Sequence, residues 1–295
     1  MAAAITAAAP PRSGSTPATK ATDWRGRYFT AFSISVLVVF AAIWLIPLLW
    51  ALITSLKTEA DVTNNPTSWW PHEWSVGAYQ SLLSQGNILT WYLNSFMVSA
   101  ITVVLTVIVT SMAGMAISQT RFRGRRIVFM LIAAGLFIPG QVLIIPMFNE
   151  FNLVHGLNTY WALVLPAVPA AIAVFIFASF FSGIPKELAD SAHCDGAGWF
   201  RIYSRIYMPL TRPAISAVSI FTFVWSWNNF LWPLLVMTNP RTMTLPVGLS
   251  QVSSAYGIQY AQLMASAILG ALPLLVVFLL FQRRIVEGVA TTGLK

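Results

Sequence analysis

Long apolar stretches that alternate with short polar segments dominate the sequence. Six stretches contain no Asp, Glu, Lys or Arg, and they cover residues 28–56, 74–120, 127–149, 151–185, 213–240 and 242–282. Each stretch is long enough for a helix of about 20 residues, which crosses the hydrocarbon core of a bilayer. Where Gln, Ser, Gly and Asn are sparse, the pattern predicts six membrane-spanning helices, near residues 29–53, 91–117, 127–147, 159–182, 213–237 and 261–281.

The composition strengthens this prediction. Of the 295 residues, 57% are hydrophobic and 9% are charged, and the mean hydropathy is +0.71. Soluble domains contain about 25% charged residues. The predicted fold class is therefore an all-α polytopic membrane protein with six transmembrane helices.

The basic residues predict the orientation of these spans. Six spans place both termini on one side, and if that side is the cytoplasm, only Lys57 and Arg241 of the 17 basic residues lie outside. Basic residues accumulate on the cytoplasmic side of membrane proteins, so both termini are predicted to be cytoplasmic. The net charge of +8 then reflects topology. It does not indicate a nucleic-acid partner, because the basic residues are dispersed over separate segments.

The two ends complete the predicted domain organisation. Residues 1–27 are rich in Ala, Pro, Ser and Thr and are predicted to be a disordered cytoplasmic tail. The apolar stretch that follows is too long for a signal peptide and is expected to remain as a membrane anchor. A six-span membrane domain is predicted at residues 28–285, followed by a cytoplasmic C-terminal tail at residues 286–295.

Several classes of function lack the residues that they need. The six predicted spans contain no Asp, Glu, Lys, Arg or His, whereas proton-coupled transporters and intramembrane metalloenzymes usually need such a side chain. His72, His155 and His193 lie in different loops, so no metal site is predicted. The single cysteine, Cys194, excludes an internal disulfide. A phosphate-binding loop of the form GxxxxGK[ST] is absent from the sequence, so the chain has no visible means of hydrolysing ATP. No catalytic residue or cofactor is predicted.

The most regular polar pattern lies in the loop between the fourth and fifth predicted spans, at residues 184–212. Its first part predicts a helix from Pro185, and Asp195 with Gly196 predicts a turn in which Gly196 is left-handed. Its second part predicts an amphipathic helix that ends at Met208-Pro209. The apolar face of that helix consists of Trp199, Ile202, Tyr203 and Ile206, and its polar face of Arg201, Ser204 and Arg205.

This predicted helix-turn-helix has two explanations. Either it lies on the membrane surface with its aromatic residues among the headgroups, or it docks on a cytosolic partner and transmits motion to the flanking spans. The residues leave both explanations open for the second helix. The first helix favours docking, because its acidic residues outnumber Lys186 and an anionic membrane surface would repel them. Those acidic residues are Glu187, Asp190 and Asp195.

The same loop resembles the cytoplasmic loop of ABC importer permeases. Their EAA motif reads Glu-Ala-Ala, three residues, Gly, nine residues and Ile-x-Leu-Pro. In this chain, the triplet is Asp190-Ser191-Ala192, Gly196 follows after three residues, and Ile206-Tyr207-Met208-Pro209 follows after nine. The spacing is intact, while Asp, Ser and Met replace Glu, Ala and Leu.

The resemblance extends from about residue 29 to residue 295 and narrows to the carbohydrate-uptake subfamily, which is maltose-permease-like. It rests on SLKTEAD at 55–61, PTSWWPHEWSVGAYQSLL at 66–83, WNNFLWPLL at 227–235 and FQRRIVEGVATTGLK at 281–295. The resemblance implies a permease subunit in the bacterial inner membrane that moves a sugar or oligosaccharide into the cell. It also implies a second permease subunit as heterodimer partner, two cytosolic ATPases that bind ATP, and an extracytoplasmic sugar-binding protein. Membrane lipids surround the chain.

The resemblance also assigns roles to residues. The loop residues expected to couple the chain to the ATPases are Glu187, Asp190, Ser191, Ala192, Asp195, Gly196, Ile206 and Pro209. A second ATPase contact is expected at Gly288, Gly293 and Leu294. The outer loop at residues 238–260 is expected to reach into the sugar cleft of the binding protein, the alternative being a flexible connector.

Three residues of the fifth predicted span are candidates for the substrate pathway. Asn228, Asn229 and Trp225 combine amide groups with an aromatic face, which is what sugar binding requires. The alternative is that Trp225 anchors the span at the membrane interface and the amides form hydrogen bonds between helices.

The sequence leaves two other functions open. The chain could be a secondary transporter, or a membrane scaffold or sensor without transport.

Overall fold

The computed structural model describes residues 24–84, 87–254 and 259–292. The chain divides into two units, Met1–Leu49 and Trp50–Lys295. Of the tail predicted at residues 1–27, residues 1–23 lie outside the described residues, and residues 24–27 belong to the first helix.

Most of the described residues belong to helices. They are α1 (Trp24–Ser55), α2 (Glu59–Asn64), α3 (Gly77–Ser84), α4 (Ile88–Gln119), α5 (Arg125–Gly135), α6 (Ile144–Leu153), α7 (Tyr160–Val164), α8 (Ala171–Ser182), α9 (Glu187–Cys194), α10 (Trp199–Ile202), α11 (Met208–Leu210), α12 (Arg212–Asn228), α13 (Leu231–Val236), α14 (Leu245–Ser254) and α15 (Tyr260–Thr292). Two 3-10 turns, Gly140–Leu143 and Leu165–Ala167, and a π-helical turn, Tyr203–Tyr207, complete the list. The prediction of an all-α membrane fold is confirmed.

Three helices are long and apolar enough to cross a membrane. They contain the candidate spans Tyr28–Ser55, Ile88–Gln119 and Tyr260–Gln282. These spans coincide with the predictions at residues 29–53, 91–117 and 261–281. The number rises to five if each of two bent helix pairs counts as one span.

The spans predicted at residues 127–147 and 159–182 fall on the two bent pairs. Arg125–Gly135 and Gly140–Leu153 meet at 92°, and Tyr160–Ala167 and Ala171–Ser182 meet at 47°. Proline lacks the backbone N–H and disfavours helical geometry in the residue before it. Pro139 lies in the break of the first pair, and Pro169 lies in the break of the second.

The prediction at residues 213–237 corresponds to two helices rather than one. α12 has 17 residues, fewer than the roughly 20 that cross a bilayer. It ends at Asn228, and Asn229 is extended with ψ 120° before α13 begins. This region is therefore not one continuous spanning helix.

α4 is the centre of the packed region in the second unit. A row of small hydroxyl side chains on α4 is buried at intervals of three or four residues: Ser95, Ser99, Thr102, Thr106 and Thr110. Small side chains allow helices to approach closely in a membrane protein. The closest approach is at Gly114, where an added Cβ would lie 2.8 Å from the Cβ of Phe177 and 2.9 Å from the backbone nitrogen of Ala178 in α8.

Carboxylates fix the short helices that follow α1. Glu59 accepts hydrogen bonds from the backbone N–H groups of Tyr260 at 2.5 Å and Ala261 at 3.0 Å, and so caps the N-terminus of α15. Asp61 accepts one from the backbone N–H of His72 at 3.0 Å. This bond from His72 lowers the pKa of the Asp61 carboxyl below its ordinary value.

The segment at residues 240–249 packs on α4. Trp91 Nε1 donates to the Pro240 carbonyl at 2.7 Å, and Ser95 Oγ accepts from the backbone N–H of Leu245 at 2.7 Å. Leu245 and Val247 are fully buried. This part of the loop at residues 238–260 is therefore a packed structural element, and the alternative of a flexible connector does not describe it. Residues 255–258 lie outside the described residues.

Candidate functional site

The polar segment between α8 and α12 begins with a helix that closes on a glycine turn. After α9, the Gly196 N–H donates to the His193 carbonyl at 3.0 Å, and the Ala197 N–H donates to the Ala192 carbonyl at 2.9 Å. These two bonds define a Schellman motif, which requires a left-handed residue. Gly196 has φ +77°. The predicted helix, turn and left-handed Gly196 are confirmed.

The second half of the segment differs from its prediction. A regular amphipathic helix was expected, but α10 gives way to the π-helical turn Tyr203–Tyr207 after four residues. A π turn places residues five apart on one face. Ile202 and Tyr207 are therefore both fully buried, while Trp199, predicted on the apolar face, is 48% exposed.

Two tyrosines connect this segment to the helices of the membrane domain. Tyr207 donates from its hydroxyl to Gln119 Oε1 at 3.0 Å, and its ring packs edge-on against Phe181 at 5.5 Å. The hydroxyl of Tyr203 lies 2.8 Å from Ser111 Oγ. The segment is thus bound to α4 through both tyrosines and to α8 through Phe181.

The environment of Tyr207 preserves its role as a donor. Burial raises the pKa of the Tyr207 hydroxyl, and the nearby Asp190 carboxylate raises that pKa further. The hydroxyl is therefore protonated at neutral pH. Tyr207 is a functional candidate that the sequence pattern missed, because a period of 3.6 residues places Ile206 on the buried face instead.

The outward side of the segment combines acidic and aromatic groups. Phe200 is 75% exposed and Leu188 is 43% exposed. The carboxylates of Glu187, Asp190 and Asp195 are also exposed. We use the name loop surface for six exposed residues of this segment: Glu187, Leu188, Asp190, Asp195, Trp199 and Phe200. His193 packs edge-on against Trp199 at 4.7 Å and fixes the position of that ring.

The other predicted coupling residues divide between the exterior and the interior. Ser191, Gly196 and Pro209 are exposed, whereas Ala192 and Ile206 are half-buried. The half-buried pair packs beside the fully buried cluster that contains Ile202, Tyr207 and Phe177. The EAA-like residues therefore have two structural roles, since some form the exterior and others hold the segment on its base.

The candidate substrate residues lie around the end of α12. Trp225 is 59% exposed and Asn228 is exposed, and their spacing of three places them on one helix face. Asn228 Nδ2 donates to the Val224 carbonyl at 2.9 Å. Asn229 lies at the break after the helix. The neighbouring Trp227 is buried instead, where its Nε1 donates to the Gly270 carbonyl at 3.2 Å.

The candidate C-terminal contact is only partly described. α15 continues to Thr292, so Gly288 lies within a helix. Gly293 and Leu294 lie outside the described residues. Among the described residues, no three His, Cys, Asp or Glu side chains come together as a metal site.

Comparison with known proteins decides the family. Residues 107–290 match the family described as "Binding-protein-dependent transport system inner membrane component". The chain belongs to this family. As an inner membrane component of such a system, it is a multi-pass bacterial permease subunit and not an enzyme, and ATP is bound by partner subunits.

Known permease components resemble the chain along most of its length. It is 33% identical to the arabinooligosaccharides transport system permease protein AraQ of Bacillus subtilis, over 90% of this chain and 97% of AraQ. It is 32% identical to the diacetylchitobiose uptake system permease protein NgcG of Streptomyces coelicolor, over 90% of this chain and 88% of NgcG.

A solved importer has the same fold. One chain of a bacterial ABC transporter involved in the import of the acidic polysaccharide alginate superimposes with a TM-score of 0.75 at 22% identity. The match covers 91% of this chain and 99% of that chain. The helix arrangement of this permease component is therefore that of an ABC importer subunit.

Proposed function

We propose that this permease component takes up an oligosaccharide, as one of two different permease subunits of an ABC importer. The observation that carries the substrate class is the similarity to AraQ and NgcG, which covers nearly the whole chain and whose names specify oligosaccharides. The predicted partners are a second permease, two cytosolic ATPases and an extracytoplasmic sugar-binding protein. The family description supports the binding protein as a partner.

The proposed topology has six spans with both termini in the cytoplasm. Each bent pair counts as one span, and α12 with α13 forms the fifth in chain order. Support comes from the basic residues, because this topology leaves only Lys57 and Arg241 outside. It places the loop surface and Arg121–Arg126 in the cytoplasm, and the packed segment at residues 240–249 outside.

The loop surface is the proposed docking site for an ATPase. Its exposed carboxylates suit a protein groove better than an anionic membrane surface, and Phe200 supplies an apolar anchor. Movement of a docked ATPase would pull on α9, and the bonds of Tyr207 and Tyr203 would carry that movement to α4. Rigid-body motion of helices would then change which side of the membrane the pathway faces.

Tyr207 provides a test of this mechanical connection. We expect Tyr207→Phe to remove the bond to Gln119, to cost about 1 kcal/mol of stability, and to lower the sugar transported per ATP hydrolysed. Tyr79→Phe is the matched control, since the Tyr79 hydroxyl lies 2.7 Å from Ser55 Oγ far from the loop surface in the chain. Thermal unfolding and the transport-to-hydrolysis ratio are measured for both. An unchanged ratio in Tyr207→Phe would remove Tyr207 from the coupling path.

Three residues are proposed for the substrate pathway. Asn228 and Trp225 form an exposed face near the end of α12, and Asn229 adjoins it at the break. We expect Asn228→Ala to raise the sugar concentration at half-maximal uptake while ATPase docking persists. Equal uptake curves for Asn228→Ala and the parent would assign this face to lipid or to helix packing.

Two further segments, one in the outer loop and one at the C-terminus, are proposed to contact partner proteins. Residues 252–258 are the part of the 238–260 loop proposed to reach the binding protein, because Gly248 packs against Trp91 and belongs to the fixed base. Shortening residues 252–258 is expected to lower uptake in an assembled complex.

Gly288, Gly293 and Leu294 are proposed to contact the ATPases, and deletion of residues 288–295 is expected to change ATPase activity. Unchanged ATPase activity after this deletion would refute the C-terminal contact, and unchanged uptake after the loop is shortened would refute the contact with the binding protein.

Reconstitution tests the function as a whole. The permease pair, the ATPases and the binding protein are placed in vesicles and offered arabino-oligosaccharides and diacetylchitobiose. We expect uptake of at least one oligosaccharide that requires ATP and the binding protein and that survives collapse of the proton gradient. Uptake driven by the proton gradient would indicate a secondary transporter, and an absence of flux for a wide sugar panel would indicate a scaffold or sensor.

A further inference from the structure

A cavity of about 640 Å³ lies between α4, α5 and α8 and has no part in the proposed coupling or sugar pathway. Ser118 comes from the last turns of α4, Arg125 and Arg126 begin α5, and Phe175 and Ser179 lie on α8. The topology proposed above, on which this inference rests, places these residues at the cytoplasmic ends of three spans. The cavity therefore lies at the level of the inner-leaflet headgroups.

The charge of this cavity is not balanced by protein. The sequence contains no Asp or Glu between Glu73 and Glu150. In the described part of the chain, no carboxylate forms an ion pair with Arg125 or Arg126. A guanidinium group binds phosphate oxygens through paired hydrogen bonds. Two such groups without a protein counterion at one cavity indicate an anionic, phosphate-bearing ligand.

The walls of the cavity are apolar. Phe129 and Phe175 pack edge-to-face with ring centroids 5.1 Å apart, and both line the cavity. Phe129 is 44% exposed and Phe175 is half-buried. The cavity thus combines two arginines with an accessible apolar wall, as a ligand with both a headgroup and acyl chains requires.

We propose that this cavity binds an anionic glycerophospholipid of the cytoplasmic leaflet. Arg125 and Arg126 bind its phosphate, and Phe129 and Phe175 contact the adjoining glycerol and upper acyl region. A free phosphate ion would leave most of a cavity of about 640 Å³ unfilled and would gain nothing from the aromatic walls. The bound lipid would join α5 to α4 and α8. It would do so near the C-terminal end of α8, which is followed in the sequence by the loop surface.

Lipid retention by the assembled complex tests this proposal. Native mass spectrometry of the detergent-purified complex with added phosphatidylglycerol is expected to show bound lipid, and Arg125→Gln with Arg126→Gln is expected to weaken its binding about tenfold. Arg121→Gln with Arg123→Gln is the matched control, because it removes the same charge from the residues just before α5, outside the cavity. The control is expected to bind phosphatidylglycerol as the parent does.

A neutral variant separates cavity binding from effects of charge on folding or insertion. Ser179→Phe places a bulky ring in the cavity and leaves every arginine in place, so it is expected to lower lipid binding. Ile172→Phe, on the same helix outside the cavity, is not expected to do so. The proposal would be overturned if all variants bound phosphatidylglycerol as the parent does, or if the Arg121 and Arg123 control lost as much binding as the Arg125 and Arg126 variant. It would also be overturned if the parent bound phosphatidylcholine equally well, or if inorganic phosphate displaced the lipid. Lipid binding is measured without transport. The lipid proposal can therefore fail while ATP-driven sugar uptake persists, and the proposed sugar uptake can fail while lipid binding persists.

Discussion

Gly196→Val is expected to lower ATP-driven uptake about tenfold. The turn after α9 requires φ +77° at this position, and a left-handed conformation costs an L-residue roughly 1–2 kcal/mol, more when the side chain is β-branched. A cost of about 1.4 kcal/mol corresponds to a tenfold change in an equilibrium. The population of the docking-competent turn should fall accordingly, and with it either assembly with the ATPases or the coupling of hydrolysis to transport.

The chain offers a matched control two residues further on. Gly198 has φ −74° and ψ 163°, which any residue adopts, and neither Gly196 nor Gly198 has an atom within 4 Å of an added Cβ. Gly198→Val therefore adds the same bulk without backbone strain. Uptake, ATPase activity and ATPase retention are measured for both variants. Normal uptake by an intact Gly196→Val complex would refute docking through this turn.

Gly114→Ala is expected to destabilise the complex by about 2 kcal/mol. Alanine normally stabilises a helix relative to glycine, but the added Cβ would lie 2.8 Å from the Cβ of Phe177 and 3.0 Å from the Val174 carbonyl oxygen. Backbone atoms cannot move aside cheaply, and overpacking of this kind costs about 1–3 kcal/mol. α4 and α8 would have to separate near the place where Tyr207 joins them.

Gly135→Ala is the control for this second variant. Gly135 also lies in a helix, and nothing lies within 4 Å of an added Cβ there. We expect its thermal unfolding temperature to equal or exceed that of the parent, while that of Gly114→Ala falls. If both variants unfold at the parent's temperature, the close contact between α4 and α8 does not stabilise the complex.

Local sequence signals predicted the parts of the fold that local interactions determine. The Asp195-Gly196 turn depends on helix formers, a break and a residue that tolerates positive φ, all within ten positions. The first, second and sixth predicted spans depend on long apolar runs. Each of these features can be recognised without knowing what packs against it.

The features that sequence reasoning missed depend on distant residues. Tyr207 is buried because Gln119 of α4 and Phe181 of α8 surround it, and a π turn brings it there. The fixed base of the outer loop depends on Trp91 and Ser95, about 150 positions before their partners in the chain. The sequence shows Pro139 and Pro169, but the spans were predicted from the length of apolar stretches. That length does not indicate whether a helix bends at a proline.

The native cysteine provides the most direct test of the central claim, which is that the cytoplasmic loop surface docks on an ATPase. Cys194 is the single cysteine of the chain, it is exposed, and it lies in α9 between Asp190 and Asp195. A membrane-impermeant maleimide is applied to inside-out and right-side-out vesicles, with and without the ATPases. The proposed docking predicts labelling only from the cytoplasmic side, and at least tenfold slower labelling once the ATPases are bound. Labelling from the outside would contradict the topology, and equal rates with and without the ATPases would contradict docking.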